Sequence, residues 1–254
     1  MEYAICIVAA APVRKEPSHK TEMTNQLLFG ETMEVLESKE GWLHVSSMYD
    51  NYEGWVTQHQ VEDVEKDVAS EPLQFVCADL MNSVQFTDQV INAPMGAALT
   101  GFKKEAGSLW SDQYSFDGMF KSFEQPSNKE ELLKTAKKWF NAPYLWGGKT
   151  LMGVDCSGFV QTVFKVNGIR LSRDAWQQAK EGDEVDQLSS AKMSDVAFFK
   201  NTEGRIIHVG ILLNPNQIIH ASGKVKIDKI DKDGIINEHT RLRTHQLHSI
   251  KRFF

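Results

Sequence analysis

Tyr144-Leu-Trp-Gly-Gly-Lys-Thr-Leu-Met-Gly-Val-Asp-Cys-Ser-Gly-Phe-Val160 is the stretch from which the rest of the chain can be read. Gly147, Gly148 and Gly153 punctuate a loop, and Phe159, Val160, Val163, Phe164 and Val166 then recur at helical spacing. Asp155 stands where an N-cap is wanted, so Cys156 falls in the first helical turn. Unpaired N–H groups and the helix dipole favour an anion there, so this placement predicts a depressed thiol pKa and a raised thiolate fraction. Such a sulfur becomes a nucleophile when a histidine lies within hydrogen-bond reach.

Two histidines farther along have the right setting. His208 lies in the β-branched run Ile206-Ile-His-Val-Gly-Ile-Leu-Leu213, and His220 lies in Gln217-Ile-Ile-His-Ala-Ser-Gly223, with Asn214-Pro-Asn between them. Two short apolar runs around a three-residue polar turn predict a hairpin, which brings the imidazoles side by side. One then serves as base to the cysteine and the other fixes the tautomer of that base. His19, His44, His59, His239, His245 and His248 have no such context and read as surface or structural.

Composition bounds the rest. At 254 residues the chain is near the size where one core stops growing, so two or three domains are expected. A hydrophobic content of 41% with 24% charged residues is that of an ordinary globular protein. The net charge of −6 and the lack of a Lys/Arg cluster speak against a nucleic-acid partner. Cys6, Cys77 and Cys156 show no metal spacing, so neither a disulfide framework, a metal site nor a cofactor is expected. Cys77, in an apolar run, reads as a buried structural thiol. No segment reaches the ~18 apolar residues of a membrane span. Tyr3-Ala-Ile-Cys-Ile-Val-Ala-Ala-Ala11 follows Glu2 rather than a basic segment and reads as a first strand, not a signal peptide.

Three regions follow in order. Residues 1–65 alternate short strands and turns, including Gln26–Glu31, Thr32–Glu37, Gly41–Val45 and Gly54–Val56, as a small barrel does. Residues 66–126 hold Phe75-Val-Cys-Ala, Ser83-Val-Gln-Phe and Tyr114-Ser-Phe with turns at Pro94-Met-Gly and Phe116-Asp-Gly. Residues 127–254 open with an amphipathic helix over Lys129–Phe140, stopped by Asn141-Ala-Pro143. The Cys156 helix, predicted to reach Asn167-Gly168, and a short helix in Arg173–Ala179 follow it. Strands over Val196–Lys200, Ile206–Leu213 and Ile218–Ala221 complete an α+β region.

Tyr144-x-Trp-Gly-Gly, Asp155-Cys-Ser-Gly-Phe159, Ser194-Asp-Val-Ala-Phe-Phe199, Ile207-His-Val-Gly-Ile211 and Ile219-His-Ala-Ser222 together resemble the NlpC/P60 cysteine peptidases. Phe29-Gly-Glu, Gly41-Trp-Leu-His-Val and Tyr52-Glu-Gly-Trp-Val56 resemble a bacterial SH3 domain. The combination is similar to the γ-D-glutamyl-L-diamino acid endopeptidases of that family. The resemblance implies a multidomain chain: SH3-like β-barrel modules over 1–65 and, in degenerate form, 66–126, then an α+β papain-like NlpC/P60 domain over 127–254.

By the same resemblance Cys156, His208 and His220 are catalytic, Tyr144 assists at the oxyanion and Trp146 shapes the pocket wall. The implied partner is a murein tripeptide-type substrate, L-Ala-γ-D-Glu followed by a diamino acid, with no nucleic acid and no membrane. Asp174 and, more weakly, Glu31 match positions that hold its free ammonium, and Tyr52 matches a tyrosine that reaches from the SH3 module into the cleft. Arg173 and Ser157, with Asp155 beside them, match those for the D-Glu carboxylate. Ala175 departs from relatives with serine there, so one substrate hydrogen bond is in doubt. The first module then gates the groove in favour of free-amine peptides, which implies cytoplasmic recycling of wall peptides, or a periplasmic or secreted setting if a signal was trimmed away. A wall-bound DL-endopeptidase, an acyltransferase and a catalytically silent murein-binding protein are the competing readings.

Overall fold

The chain folds as a run of short strands followed by helices and a second, curled sheet; a computed structural model describes every residue, Met1–Phe254. It divides into two units, Met1–Pro126 with Trp146–Thr150, and Ser127–Leu145 with Leu151–Phe254.

In the first unit, β1 (Tyr3–Cys6), β2 (Ala10–Arg14), β3 (Met23–Leu28), β4 (Thr32–Lys39), β5 (Trp42–Ser47), β6 (Glu53–Thr57) and β7 (Val61–Asp63) form one antiparallel sheet in the order β3-β2-β6-β5-β4-β1-β7. Alternation sends Cys6, Val13, Leu27, Met33, Leu43, Val45 and Val56 into a shared core. Each Val or Leu so buried contributes about 1.5–3 kcal/mol. A Cβ on Gly54 would stand 2.4 Å from the Val13 side chain, so only glycine lets β6 approach β2. After the one-turn helix α1 (Lys66–Ala69), β8 (Phe75–Cys77) pairs with β12 (Phe120–Ser122). Between them, β9 (Met81–Phe86), β10 (Gln89–Pro94) and β11 (Tyr114–Phe116) make a three-stranded sheet. These strands share a second core with Leu28 and Phe29, and Cys77 is wholly buried in it.

The loop segment Trp146–Thr150 belongs to this unit. Gln26 Oε1 accepts the Lys149 backbone N–H at 2.7 Å, and Lys149 Nζ reaches Glu31 Oε1 at 3.3 Å, both ionic groups being buried. Gly147 adopts φ +76°, and a Cβ there would meet the Met23 carbonyl at 2.6 Å.

In the second unit, α2 (Lys129–Lys138) starts at Asn128, whose side chain accepts the Glu131 N–H at 2.9 Å, and buries Leu132, Leu133 and Ala136. Asn141, at φ 68°, turns the chain out of the helix. After β13 (Lys149–Thr150), which lies in the loop segment of the first unit, the two-residue strand β14 (Gly153–Val154) leads into α3 (Cys156–Val166), every residue of which is buried. Gly168, at φ 79°, ends α3 in the left-handed conformation usual after a helix. Then come α4 (Ala175–Gln178), β15 (Asp183–Glu184), β16 (Val196–Lys200), β17 (Ile206–Asn214), β18 (Gln217–Ser222), β19 (Lys224–Asp231), β20 (Gly234–Ile236) and β21 (Arg243–Arg252). Sheet order is β15-β21-β16-β17-β18-β19-β20, and β20 pairs back onto β21, so the six strands from β16 to β21 close into a ring. The hairpin stands as read from sequence, but Asn214 belongs to β17 and pairs with Gln217, so the connection is Pro215-Asn216 and not three residues; the ring closure, a non-local pairing, does not appear in the sequence. No helix is long and apolar enough to cross a membrane.

Candidate active site

Asp155 delivers the cysteine. Its Oδ1 accepts the Gly158 N–H at 2.7 Å, which caps α3 and sets Cys156 as the first helical residue. The Cys156 sulfur accepts hydrogen bonds from the backbone N–H groups of Ser157 and of Val209, the residue after His208 on β17. Helix start and strand therefore meet at the sulfur.

Register explains the histidines. Ile211 pairs with Ile219 across β17 and β18, so one step further Gly210 faces His220 and His208 lies diagonal to it on the same face. Across β18 and β19, His220 pairs with Lys226 and Ile218 with Asp228, so Asp228 is the next diagonal neighbour. The outcome is a chain of contacts over three strands. His208 Nε2 and His220 Nδ1 are 2.8 Å apart, and His220 Nε2 and Asp228 Oδ2 are 3.0 Å apart. His208 is 5% exposed, His220 0% and Asp228 2%. A methyl on Gly210 would stand 2.8 Å from His220 Cβ, so the glycine makes room for the second imidazole.

Two members of this cluster escape sequence reasoning. Asp228 lies in Lys224-Val-Lys-Ile-Asp-Lys-Ile-Asp231, which receives neither an element nor a role from the sequence alone. The tight Ser222-Gly-Lys224 turn, which fixes the register of β18 on β19, is the signal that would have found it. His245, read above as surface or structural, instead stacks on His208 with ring centroids 4.1 Å apart and planes inclined by 26°. Its position depends on β20 pairing with β21, where it faces Ile235. Three histidines do not make a metal site here: both ring nitrogens of His220 are already engaged.

Electrostatics corrects one expectation. Burial pushes the Cys156 thiol up to about 12, and Asp155 pushes the same way; Val209 N–H, Arg173 and Ser157 N–H oppose them without prevailing. Desolvation of the sulfur outweighs the helix start, so the resting group is a thiol and not a thiolate. Burial, then the neighbouring His220, hold His208 well below the usual imidazole range. His220 is lowered by burial against the pull of Asp228, and His245 is lowered to about 4, chiefly by burial. The Asp228 carboxyl lies below the ordinary range because the bonds from His220, the Glu238 N–H and Lys226 outweigh its burial. The Tyr144 phenol is raised by burial and by Cys156 and Asp155, so it remains a donor.

The other sequence-predicted residues fall into three places. Beside Cys156, the Arg173 guanidinium grips Asp155 at 3.1 and 2.6 Å and donates to Ser157 Oγ at 2.8 Å, all three side chains being buried. Asp174 precedes α4, half-buried, with its Oδ2 accepting the Trp176 indole N–H at 3.2 Å; Ala175 opens that helix. In the first unit, Trp146 is 58% exposed and donates its indole N–H to Glu22, and Tyr52 is half-buried just before β6. Glu31 is buried there, accepts the Leu28 N–H at 2.8 Å and is matched by Lys149, so its charge is already neutralised within its own unit.

Known proteins share this organisation. Residues 141–244 match the NlpC/P60 family and residues 13–61 match the bacterial dipeptidyl-peptidase SH3 domain. The chain is 28% identical to dipeptidyl-peptidase 6 of Lysinibacillus sphaericus over 90% of its own length and 92% of the relative's. It is 30% identical to gamma-D-glutamyl-L-lysine dipeptidyl-peptidase of Bacillus subtilis over 77% of its length and 71% of the relative's. A crystal structure of an NlpC/P60 family protein from Bacillus cereus has the same fold, with a TM-score of 0.82 at 19% identity over 98% of this chain and 99% of that one.

Proposed function

The chain belongs to the NlpC/P60 family of cysteine peptidases and carries a bacterial SH3 domain ahead of the peptidase domain, and from that premise we propose that it cuts cell-wall peptides between γ-D-Glu and the following diamino acid. The observation that carries this reading is the chain of His208, His220 and Asp228 beside a buried thiol at a helix start. Because Asp228 is ionised, His220 donates its Nε2–H to it and turns a bare Nδ1 toward His208. His208 therefore carries its proton on Nε2 and keeps Nδ1 free as the base.

The chemistry follows in two halves. His208 Nδ1 takes the Cys156 proton as sulfur attacks the γ-amide carbonyl, and the oxyanion is met by the Cys156 backbone N–H and the Tyr144 hydroxyl. The imidazolium returns that proton to the leaving amine as the C–N bond breaks, leaving a thioester. Water, deprotonated by His208, then releases the acid and restores the thiol. Arg173 and Ser157 serve the D-Glu α-carboxylate, and Asp174 faces the free L-Ala ammonium. A preference for such small free-amine fragments suits recycling inside the cytoplasm; recovery of the protein chiefly from periplasm or medium overturns that placement.

The test is a paired assay of L-Ala-γ-D-Glu-L-Lys, its meso-diaminopimelate analogue and N-acetylated versions of both. Cleavage of free-amine peptides alone, abolished by Cys156→Ala, is expected. Equal cleavage of acetylated peptides points to a wall-bound endopeptidase, and no cleavage of any refutes the proposal.

A further inference from the structure

We propose that Asp228 is a positioning residue of the reaction, the fourth member of a buried relay from Cys156 through His208 and His220, and that it sets the tautomers of both imidazoles. This rests on the reading of His208 as the base, and goes beyond it by locating the group that makes His208 a base.

The argument is one of hydrogen-bond direction. Two imidazoles joined by one hydrogen bond leave the direction of that bond open: either ring can donate. At 2.8 Å between His208 Nε2 and His220 Nδ1, with both rings buried, no water decides the matter. Asp228 decides it. Its Oδ1 accepts the Glu238 backbone N–H at 2.9 Å, while its Oδ2 takes His220 Nε2 at 3.0 Å and Lys226 Nζ at 3.1 Å. A carboxylate only accepts, so His220 must carry its proton on Nε2, and His208 must then donate from its own Nε2. The reverse arrangement puts a proton on His208 Nδ1, the ring nitrogen outside the relay, and so removes the base. Lys226, directly across from His220 and partly exposed, keeps Asp228 ionised without occupying the relay. His245 stacks on the His208 face and does not compete for either nitrogen in the chain.

Asp228→Asn tests this with nearly no change of volume. The amide oxygen is required by the Glu238 N–H, so the amide NH2 turns to His220 Nε2, Lys226 swings toward solvent, and the relay reverses. Changing the acid behind a catalytic histidine to its amide lowers kcat by about 10⁴ in the serine peptidases. The expected result here is a loss of roughly 10²–10⁴ in kcat on L-Ala-γ-D-Glu-L-Lys, with KM changed less than about threefold.

The decisive reading is the imidazole ¹⁵N spectrum of the full chain at neutral pH. In the wild type His208 is expected with a protonated Nε2 and a bare Nδ1; in Asp228→Asn those states exchange. A wild-type His208 protonated on Nδ1 overturns the proposal without any variant, as does a folded Asp228→Asn protein with wild-type kcat or unchanged tautomers. If the spectra follow expectation but no murein peptide is cleaved, the relay stands and the substrate reading falls.

Discussion

Replacing Gly210 by alanine tests whether the active site depends on close approach of β17 and β18. Gly210 has an ordinary strand conformation, so backbone strain plays no part, and the whole effect is steric. The new methyl meets His220 Cβ and the Ile218 Cδ1 methyl, each at 2.8 Å, whereas carbon atoms rest at about 3.5–4.0 Å. Ile218 is wholly buried in the core, and the His220 ring is held at both ends by His208 and Asp228, so neither has open space to move into. The strand or the ring must give by roughly 1 Å, and a 1 Å misplacement of a supporting group costs on the order of 10²-fold in rate. Overpacking of this kind also costs about 1–3 kcal/mol, which for a chain of this size lowers the melting temperature by roughly 2–12 °C. Steady-state kinetics on L-Ala-γ-D-Glu-L-Lys, run well below the melting temperature of the variant, are expected to show a kcat loss near 10²-fold with KM little changed. A folded Gly210→Ala enzyme with kcat within about twofold of wild type refutes the geometric account of the histidine pair.

Tyr144→Phe removes one oxyanion donor and is expected to lower kcat by about 10²–10³-fold while leaving the melting temperature unchanged, as kinetics and thermal denaturation will show. Lys149→Met strands the buried Glu31 carboxylate, so chemical denaturation is expected to show a loss of about 3–5 kcal/mol in the first unit. Because His208 titrates below 6.5, the acid limb of kcat/KM is expected to fall below that pH; a limb at or above 6.5 contradicts a buried neutral base. His208, His220 and His245 bind protons less tightly folded than unfolded, so the stability they contribute is complete above about 6.5 and is lost as pH falls from there toward about 4, which melting curves across that window will test.

The cysteine helix and the hairpin were legible because their signals are local. Asp155 caps within three residues, and two apolar runs around Asn214-Pro-Asn state their own pairing. Asp228 and His245 were hidden because their meaning depends on which residue stands across a strand boundary. On β19, Lys226, Asp228 and Ile230 share a face, and two charges before one isoleucine look like a solvated edge until β18 covers them. The thiol was misjudged for a different reason. A helix start is a sequence feature, but the desolvation that opposes it is produced by the packing of α3 against β17 and so has no sequence signature. Both failures touch the same point of chemistry. A buried thiol near 12 is of no use to a hydrolase unless its proton has somewhere definite to go. A neutral His208 gains that capacity only if its proton is kept on the far nitrogen. The charge that keeps it there lies two strands away, on a segment that carries no motif of its own.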